Sequence, residues 1–342
     1  MLKGIYTLAN DVVYDQLVAL LNSIEANVSS DIPICVIPYD DRLEKVQQEI
    51  NSRSNVILFD DSQSIQRWED FAYEVWSAHP IANKKVSRSQ WYKGHLQRKF
   101  VAFDGEFEQF VFYEADQLAM KPVNDMWEKL QKYDFVFDDW EHKKPTPVAA
   151  LNIPLIESST SYKEDDIRKK IHDASFWGSK RGLFNPEELM NLKAKLINEN
   201  EIEWINGYGF WDDVFLLNYL TFRCDRPIYN FTLSENGQDR TGNCADADPF
   251  VNVDNVLYNQ QGLKPIHRIH YMNYSSKDFA RLCQGYDAEI RYKDEFLYYR
   301  FWKNSEQRPK ELRAQGWLEK ISKKVKNITS KTKVSFYRKY QK

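Results

Sequence analysis

Residues 107–123, FEQFVFYEADQLAMKPV, join a run of apolar residues to two closely spaced acids. Phe110 to Tyr113 are aromatic or β-branched and have polar neighbours, which predicts a buried strand rather than a helix. Glu114 and Asp116 follow, and side chains at i and i+2 of a strand point to one face. Paired carboxylates favour a hard divalent cation such as Mg²⁺ or Mn²⁺. The stretch therefore predicts a metal site at a strand end, suited to a diphosphate leaving group.

The composition is that of a soluble globular protein. The 342 residues are 42% hydrophobic and 28% charged, with a formal net charge of -3. This length accommodates one large α/β domain, and the small net charge argues against a nucleic-acid binder. No apolar run approaches the ~18 residues of a membrane span, and MLKGIYTLAND lacks the signal-peptide pattern. We expect a cytoplasmic protein, and its four dispersed cysteines predict neither a zinc ribbon nor a disulfide framework.

Strands and helices alternate near the start of the chain. LKGIYTL, IPICVIPYDD and NVILF have the pattern of strands, and VVYDQLVALLNSIEAN and LEKVQQEINS that of helices between them. This order predicts two βαβ units of an open parallel sheet, with the strand that ends at Glu114 in a fourth parallel position. Later elements are predicted as helices over residues 64–76, 90–103 and 211–220, a strand near residues 228–233, and a hairpin ending in HRIHYMNY.

The end of the chain is strongly basic. From Trp317 onward it carries nine Lys or Arg residues against one acid, Glu319, with apolar residues interleaved. This pattern is compatible with a helical extension that contacts an anionic membrane surface peripherally. A solvated helix or a frayed terminus is the alternative interpretation.

Several of these blocks resemble the GT-A glycosyltransferases, above all the nucleotide-sugar transferases that include glycogenin and bacterial lipopolysaccharide galactosyltransferases. TLANDVVY, residues 7–14, resembles the opening nucleotide loop T-x-A-x-x-x-x-Y, whose tyrosine stacks on uracil in that family. EAD resembles the D-x-D motif, and LQRKF, residues 96–100, resembles the basic residues that precede it. In these blocks the resemblance implies donor-binding roles for Thr7, Ala9, Asn10, Tyr14, Arg98 and Lys99. In a later segment, described next, it implies the same role for Lys277.

Three later blocks resemble the family with departures. ASFWGSKRGLF, residues 174–184, resembles the N-x-G-f strand near the donor sugar, but begins with Ala and Ser. WDDVFLLN resembles D-Q-D-x-L-N, yet Val214 and Phe215 replace the Gln and the second Asp. HRIHYMNYSSK resembles the late H-x-x-G-x-x-K segment, which implies His270 as the third metal ligand, with His267 as the fallback, and Lys277 for the leaving diphosphate.

The resemblance implies an α/β fold with a mostly parallel, Rossmann-like central sheet flanked by helices. The GT-A domain is expected over residues 1–300, with a donor half at 1–140 and an acceptor-side half at 141–300. Residues 301–342 are expected to form the C-terminal helical basic extension. The implied activity is metal-dependent transfer of a sugar from a nucleotide-diphosphate donor, expected to be a UDP-sugar, to a hydroxyl of a carbohydrate, lipid or protein. The sugar, the acceptor and the stereochemical outcome are not implied.

The implied cofactor is Mn²⁺ or Mg²⁺, held by Glu114, Asp116 and His270. Asp213 or Asp212 is the candidate for activating the acceptor, with helix N-capping as the equal alternative. The departures in WDDVFLLN also favour a second hypothesis, a catalytically degenerate fold that binds a nucleotide sugar or a protein partner. A nucleotidyltransferase is disfavoured because no Gly-rich basic opening loop is present. CADADPF, residues 244–250, is a rival acidic metal site, ranked lower because no apolar strand precedes it.

Overall fold

The computed structural model describes residues 2–82, 95–207, 212–239, 243–244, 250–253, 256–259 and 265–314. The strands are β1 (Lys3–Ala9), β2 (Ile34–Pro38), β3 (Val56–Leu58), β4 (Gln109–Glu114), β5 (Gln117–Ala119), β6 (Phe135–Phe137), β7 (Phe176–Lys180), β8 (Ile228–Asn230), β9 (Asn243–Cys244), β10 (Phe250–Val253), β11 (Val256–Asn259) and β12 (Arg268–His270). The α-helices are α1 (Tyr14–Asn27), α2 (Glu44–Asn51), α3 (Ser62–Ala78), α4 (Asn124–Lys129), α5 (Ile153–Ser159), α6 (Glu164–Arg168), α7 (Pro186–Asn198), α8 (Asp213–Arg223), α9 (Ser276–Cys283) and α10 (Lys293–Arg300).

A seven-stranded sheet has the order β3-β2-β1-β4-β7-β6-β8. The pairs from β3 to β4 are parallel, β7 is antiparallel to both of its neighbours, and β6 is parallel to β8. The predicted mostly parallel sheet is therefore confirmed, with β4 in the predicted fourth position. Parallel strands direct their carboxyl ends to one edge of a sheet, which is where ligands bind in open α/β folds. The end of β1 and Glu114 consequently lie side by side, with Leu8 paired to Glu114.

A second sheet, of three strands in the order β5-β12-β9, carries the late histidine segment. β12 pairs antiparallel with β5, which places His270 opposite Gln117, and the Tyr271 N–H donates to the Asp116 carbonyl at 3.0 Å. The prediction that HRIHYMNY ends a hairpin is wrong, since the hairpin is β10–β11 and precedes it. Leu118 and Ile269 belong to a shared buried cluster, so packing rather than chain proximity selects the partner strand.

Three predicted elements have different bounds or type. The helix predicted over residues 90–103 is a 3₁₀ helix at Leu96–Phe103, and residues 83–94 lie outside the described residues. The helix predicted from Trp211 begins at Asp213, because the Asp212 side chain accepts from the Val214 N–H and caps it. The strand expected near residues 228–233 ends at Asn230, whose side chain accepts from Thr232 N–H and starts a 3₁₀ turn.

The central sheet is buried on both faces. Tyr6 and Leu8 of β1 belong to one large apolar cluster, and Ile5 and Ala9 to another on the opposite face. A strand of a parallel sheet covered on both faces reads as a nearly continuous apolar run, which is the pattern of β2, ICVIP. Each large side chain buried in this way stabilises the fold by roughly 1.5–3 kcal/mol.

The described chain remains packed on the domain in α10 and beyond it. The Asn22 side chain donates to the Tyr299 carbonyl at 2.7 Å, and the Asp287 N–H donates to the Arg313 carbonyl at 2.8 Å. The basic segment from Trp317 lies outside the described residues. Among the described residues no helix is both long and apolar enough to cross a bilayer, and the thiols of Cys35, Cys224 and Cys283 are free.

Candidate active site

A cleft of about 870 Å³ opens at the carboxyl ends of β1 and β4. One wall is formed by the loop after β1, with Asn10 and Val13, and by the end of β2, with Tyr39 and Arg42. Asp212, at the start of α8, also lines the cleft. The structure thus places the cleft where the topology predicts a ligand.

Glu114, Asp116 and His270 converge in this cleft. One potential ligand atom of each lies within 4.8 Å of those of the other two. His270 Nε2 is 3.3 Å from Glu114 Oε2 and 3.4 Å from Asp116 Oδ1. The register explains the convergence, because β4 ends at Glu114 and His270 pairs with the first residue of β5. Two carboxylates and an imidazole are a donor set that Mn²⁺ accepts, so these residues fit the predicted cation.

His267, the fallback ligand, occupies a different environment. It is fully buried, with Nδ1 2.8 Å from Asp138 Oδ2 and Nε2 2.9 Å from both carboxylate oxygens of Asp125. Both ring nitrogens are engaged by carboxylates within the protein, whereas His270 faces the cleft. The rival motif CADADPF has residues 245–249 outside the described part of the chain.

Lys99 and Asp213 form a buried ion pair beside Glu114. Lys99 Nζ is 2.8 Å from Glu114 Oε1 and 2.5 Å from Asp213 Oδ2. Burial raises the pKa of Glu114, but the charge of Lys99 and the hydrogen bond and charge of His270 outweigh burial and lower it to about 2. For Asp213 the balance is reversed: burial raises its pKa to about 7 despite the charge of Lys99. Glu114 is therefore ionised. Asp213 is buried, with only 4% exposed.

The predicted donor loop lies partly in the cleft. Ala9 and Asn10 line it, and the Asn10 side chain donates to Asp40 at 2.9 Å while accepting from Val12 N–H at 3.0 Å. Thr7 is fully buried within β1 and is not among the lining residues.

Tyr14 also lies apart from the cleft lining, because its hydroxyl donates to Glu49 on α2 at 3.1 Å. Val13, the preceding residue, does line the cleft.

The predicted phosphate-binding cations occupy three different environments. The Arg98 guanidinium donates to Glu69 at 2.6 Å and to the Pro38 carbonyl at 3.0 Å, so it is used within the fold. Lys99 is buried, as described above. Lys277 is exposed on the first turn of α9, next to Ser276, which lines the cleft. Lys277 is the member of this set whose position leaves it accessible to a bound diphosphate.

Tyr39, Arg42 and Asp173 line the cleft although sequence reasoning did not select them. Tyr39 stacks on His95, with ring centroids 5.3 Å apart, and Arg42 donates to Asp40. The strand-end rule that selected Glu114 applies equally to PYDDR after β2 and could have identified two of them. Asp173 precedes an antiparallel strand, so only the observed strand order brings it to the same edge.

No protein-family model matches the chain, and no curated protein sequence matches it. Among solved structures, the bifunctional glycosyltransferase WbbM matches with 12% identity and a TM-score of 0.51, over 89% of this chain and 51% of WbbM. The galactosyltransferase LgtC, solved with donor and acceptor sugar analogs, matches with 10% identity and a TM-score of 0.43, over 81% of this chain and 94% of LgtC. Mouse xyloside xylosyltransferase 1 matches with 8% identity and a TM-score of 0.44, over 67% of this chain and 84% of that enzyme.

At identities this low, the likeness is one of fold alone. It rests on the match to WbbM, whose TM-score is 0.51. The chain spans about half the length of WbbM. Strand order, the cleft at the carboxyl ends of β1 and β4, and this match all agree with the resemblance in the sequence. The chain has the fold of the GT-A-type glycosyltransferases.

Proposed function

We propose that this chain is a metal-dependent glycosyltransferase that moves a sugar from a nucleotide-diphosphate donor, expected to be a UDP-sugar, to a hydroxyl acceptor. The observation that carries the proposal is the convergence of Glu114, Asp116 and His270 in a cleft of a GT-A fold. Pairs of acidic residues occur by chance in many sequences. Here His270, from a strand distant in sequence, lies beside the pair. A cation at these ligands offsets the charge that builds on a departing diphosphate.

Cationic and helix-terminal groups around the cleft support binding of a diphosphate. Arg42 contributes a guanidinium whose side chain is 58% exposed, so it remains accessible to a ligand. The N-terminus of α9 lies at Ser276 in the cleft lining, and helix N-termini favour anions. Lys277 follows on the first turn of this helix. We assign these cationic groups to the donor, and the acidic lining residues Asp173 and Asp212 to the acceptor.

Asp212 is the better placed of the two carboxylates proposed to act on the acceptor. Both residues line the cleft, but Asp212 is partly exposed, whereas only 4% of Asp213 is exposed and its carboxylate contacts Lys99. A general base must lie within hydrogen-bond reach of the hydroxyl proton that it removes. We therefore assign proton removal to Asp212 and an internal role to Asp213.

Calorimetric titration tests the donor site. UDP, GDP and several UDP-sugars are titrated with Mn²⁺ and with chelator into wild type, Asp116→Ala and the control Glu187→Ala, which removes an exposed acid at the start of α7. We expect Mn²⁺-dependent UDP binding by wild type and Glu187→Ala, and its loss in Asp116→Ala. Metal-independent binding, or equal binding by Asp116→Ala, would contradict the assignment.

A second candidate function is binding of a nucleotide sugar without transfer. Val214 presents an aliphatic side chain to the cleft and Phe215 is buried, at positions where the resembled family has polar residues. This function predicts Mn²⁺-dependent donor binding with neither hydrolysis nor transfer across an acceptor library. Release of UDP from any bound UDP-sugar would exclude it.

A further inference from the structure

The buried ammonium of Lys99 is fully used inside the protein. Its Nζ lies 2.8 Å from Glu114 Oε1, 2.5 Å from Asp213 Oδ2 and 3.3 Å from the Ala174 carbonyl. An ammonium has three N–H donors, and three acceptors surround this one. No part of the side chain is exposed. Lys99 therefore could reach a bound diphosphate only by giving up these contacts.

Three separate segments of the cleft wall meet at Lys99. Glu114 ends β4, Ala174 lies just before β7, and Asp213 begins α8. Glu114 and Asp213 line the cleft themselves, and so do both chain neighbours of Ala174. One buried cation thus ties the proposed metal ligand to two further segments of the cleft wall.

The two carboxylate oxygens of Glu114 have different partners. Oε1 accepts from Lys99, whereas Oε2 lies 3.3 Å from His270 Nε2 and so faces the other proposed ligands. We propose that Lys99 is a positioning residue that leaves Glu114 one oxygen, Oε2, for a divalent cation and weakens binding of the cation alone. This inference rests on the proposed function, because it concerns the same metal site.

The charge of Lys99 favours a cation that arrives with a nucleotide. A positive charge beside a ligand repels a bare cation, and the effect is large where water is excluded. A nucleoside diphosphate contributes negative oxygens of its own, which compensate for that repulsion. The site is therefore built to hold the cation–nucleotide complex more firmly than the cation.

Replacing Lys99 with methionine tests this role without a donor sugar or turnover. Mn²⁺ affinity is measured by calorimetry in the absence of nucleotide, and hydration of the bound Mn²⁺ by water-proton relaxation. We expect Lys99→Met to bind Mn²⁺ about tenfold more tightly, since a repelling charge is removed and Oε1 is freed. Relaxivity is expected to fall, because the freed oxygen displaces a bound water. A direct phosphate contact predicts the opposite pattern: unchanged Mn²⁺ affinity and weaker binding of UDP with Mn²⁺.

Two further variants separate the proposed role from other effects of the substitution. Arg98→Met removes a cation from the adjacent position, where it pairs with Glu69 at 2.6 Å, and should change Mn²⁺ affinity by less than about twofold. Lys99→Met combined with Asp213→Asn removes the buried charge that the single variant leaves without its partner. It should tighten Mn²⁺ binding less than the single variant, because Oε1 is freed while the net charge of the site is unchanged, and it serves as the test if the single variant does not fold.

The outcomes distinguish the two proposals. Unchanged or weaker Mn²⁺ binding by folded Lys99→Met, or by the double variant, would overturn the positioning role and leave the proposed transferase standing. Tightening by Arg98→Met as large as that by Lys99→Met would also overturn it, since the effect would then be general electrostatics. Failure of wild type to bind Mn²⁺, with and without UDP, would overturn the metal site and with it both proposals.

Discussion

Replacing His267 with alanine should destabilise the protein without removing the metal site. The ring is fully buried and lies 2.8 Å from Asp138 and 2.9 Å from Asp125. Removing one partner from a buried charged cluster costs about 3–5 kcal/mol, because the remaining carboxylates lose their compensation. Arg268, 3.9 Å from Asp138, and Lys121, 2.5 Å from Asp125, retain part of it. We therefore expect a loss near the lower limit, about 3 kcal/mol.

His270→Ala is the matched comparison, because the two histidines lie three residues apart in one segment. Its neighbours Glu114 and Asp116 have side chains 29% and 24% exposed, so their charges remain partly solvated when the imidazole is removed. We expect His270→Ala to lose Mn²⁺ binding. Because its ring is also buried, with 2% exposed, the free energy of unfolding should fall as well, but by only about 1 kcal/mol, less than for His267→Ala.

Urea unfolding followed by circular dichroism gives the stability of both variants. Calorimetry in urea-free buffer near neutral pH gives their Mn²⁺ affinity. The two variants should differ in both properties: His267→Ala is the less stable of the two but binds Mn²⁺, and His270→Ala is the more stable but does not. A stable His267→Ala protein that fails to bind Mn²⁺, together with a His270→Ala protein that binds it, would refute the assignment of His270 as the ligand.

Three other predictions concern separate parts of the molecule. Burial raises the pKa of Asp125, but His267 and Lys121 outweigh it and hold that pKa below its ordinary value, so the stabilisation is complete at neutral pH and is lost in acid below about pH 4. Urea unfolding across this range should therefore show a steeper acid loss for wild type than for Asp125→Asn. Arg42→Ala should weaken calorimetric binding of UDP with Mn²⁺ by about tenfold and leave binding of Mn²⁺ alone unchanged. In sedimentation with anionic phosphatidylserine vesicles, the full chain should bind and a chain ending at residue 314 should not; equal binding would contradict a membrane role for the basic tail.

The sequence was sufficient for the parts of the fold in which local pattern and topology agree. Apolar runs and the alternation of strands and helices predicted β1 to β4 in their observed parallel arrangement, because an α-helix separates each of the first three strands from the next and right-handed crossover restricts the choices. The same approach failed for β12, whose partner β5 is distant in sequence. Alternation of apolar residues shows that a strand has a buried face but does not identify the strand beside it.

Candidate site residues were predictable where the backbone alone fixes their position. Glu114 and Asp116 follow a strand, and His270 was selected by resemblance; the structure brings all three into one cleft. The positively charged residues were harder to assign. Arg98, Lys99 and Lys277 are equivalent in a sequence pattern, yet one pairs with Glu69, one is buried, and one is exposed. These differences depend on packing against residues from other elements. The residues next to each cation in the sequence do not indicate that packing.

The departure from D-x-D at Glu114 and the burial of Lys99 have a common physical explanation. Glutamate carries its carboxylate one methylene farther from the backbone than aspartate does. In this structure that carboxylate bridges two groups, with Oε1 2.8 Å from Lys99 Nζ and Oε2 3.3 Å from His270 Nε2. The side chain of an aspartate at this position would be shorter. If one of its carboxylate oxygens contacted Lys99, the other would lie farther from Asp116 and His270. Glu114 and Lys99 therefore act as a unit, and a Glu114→Asp substitution should give up one of the two contacts.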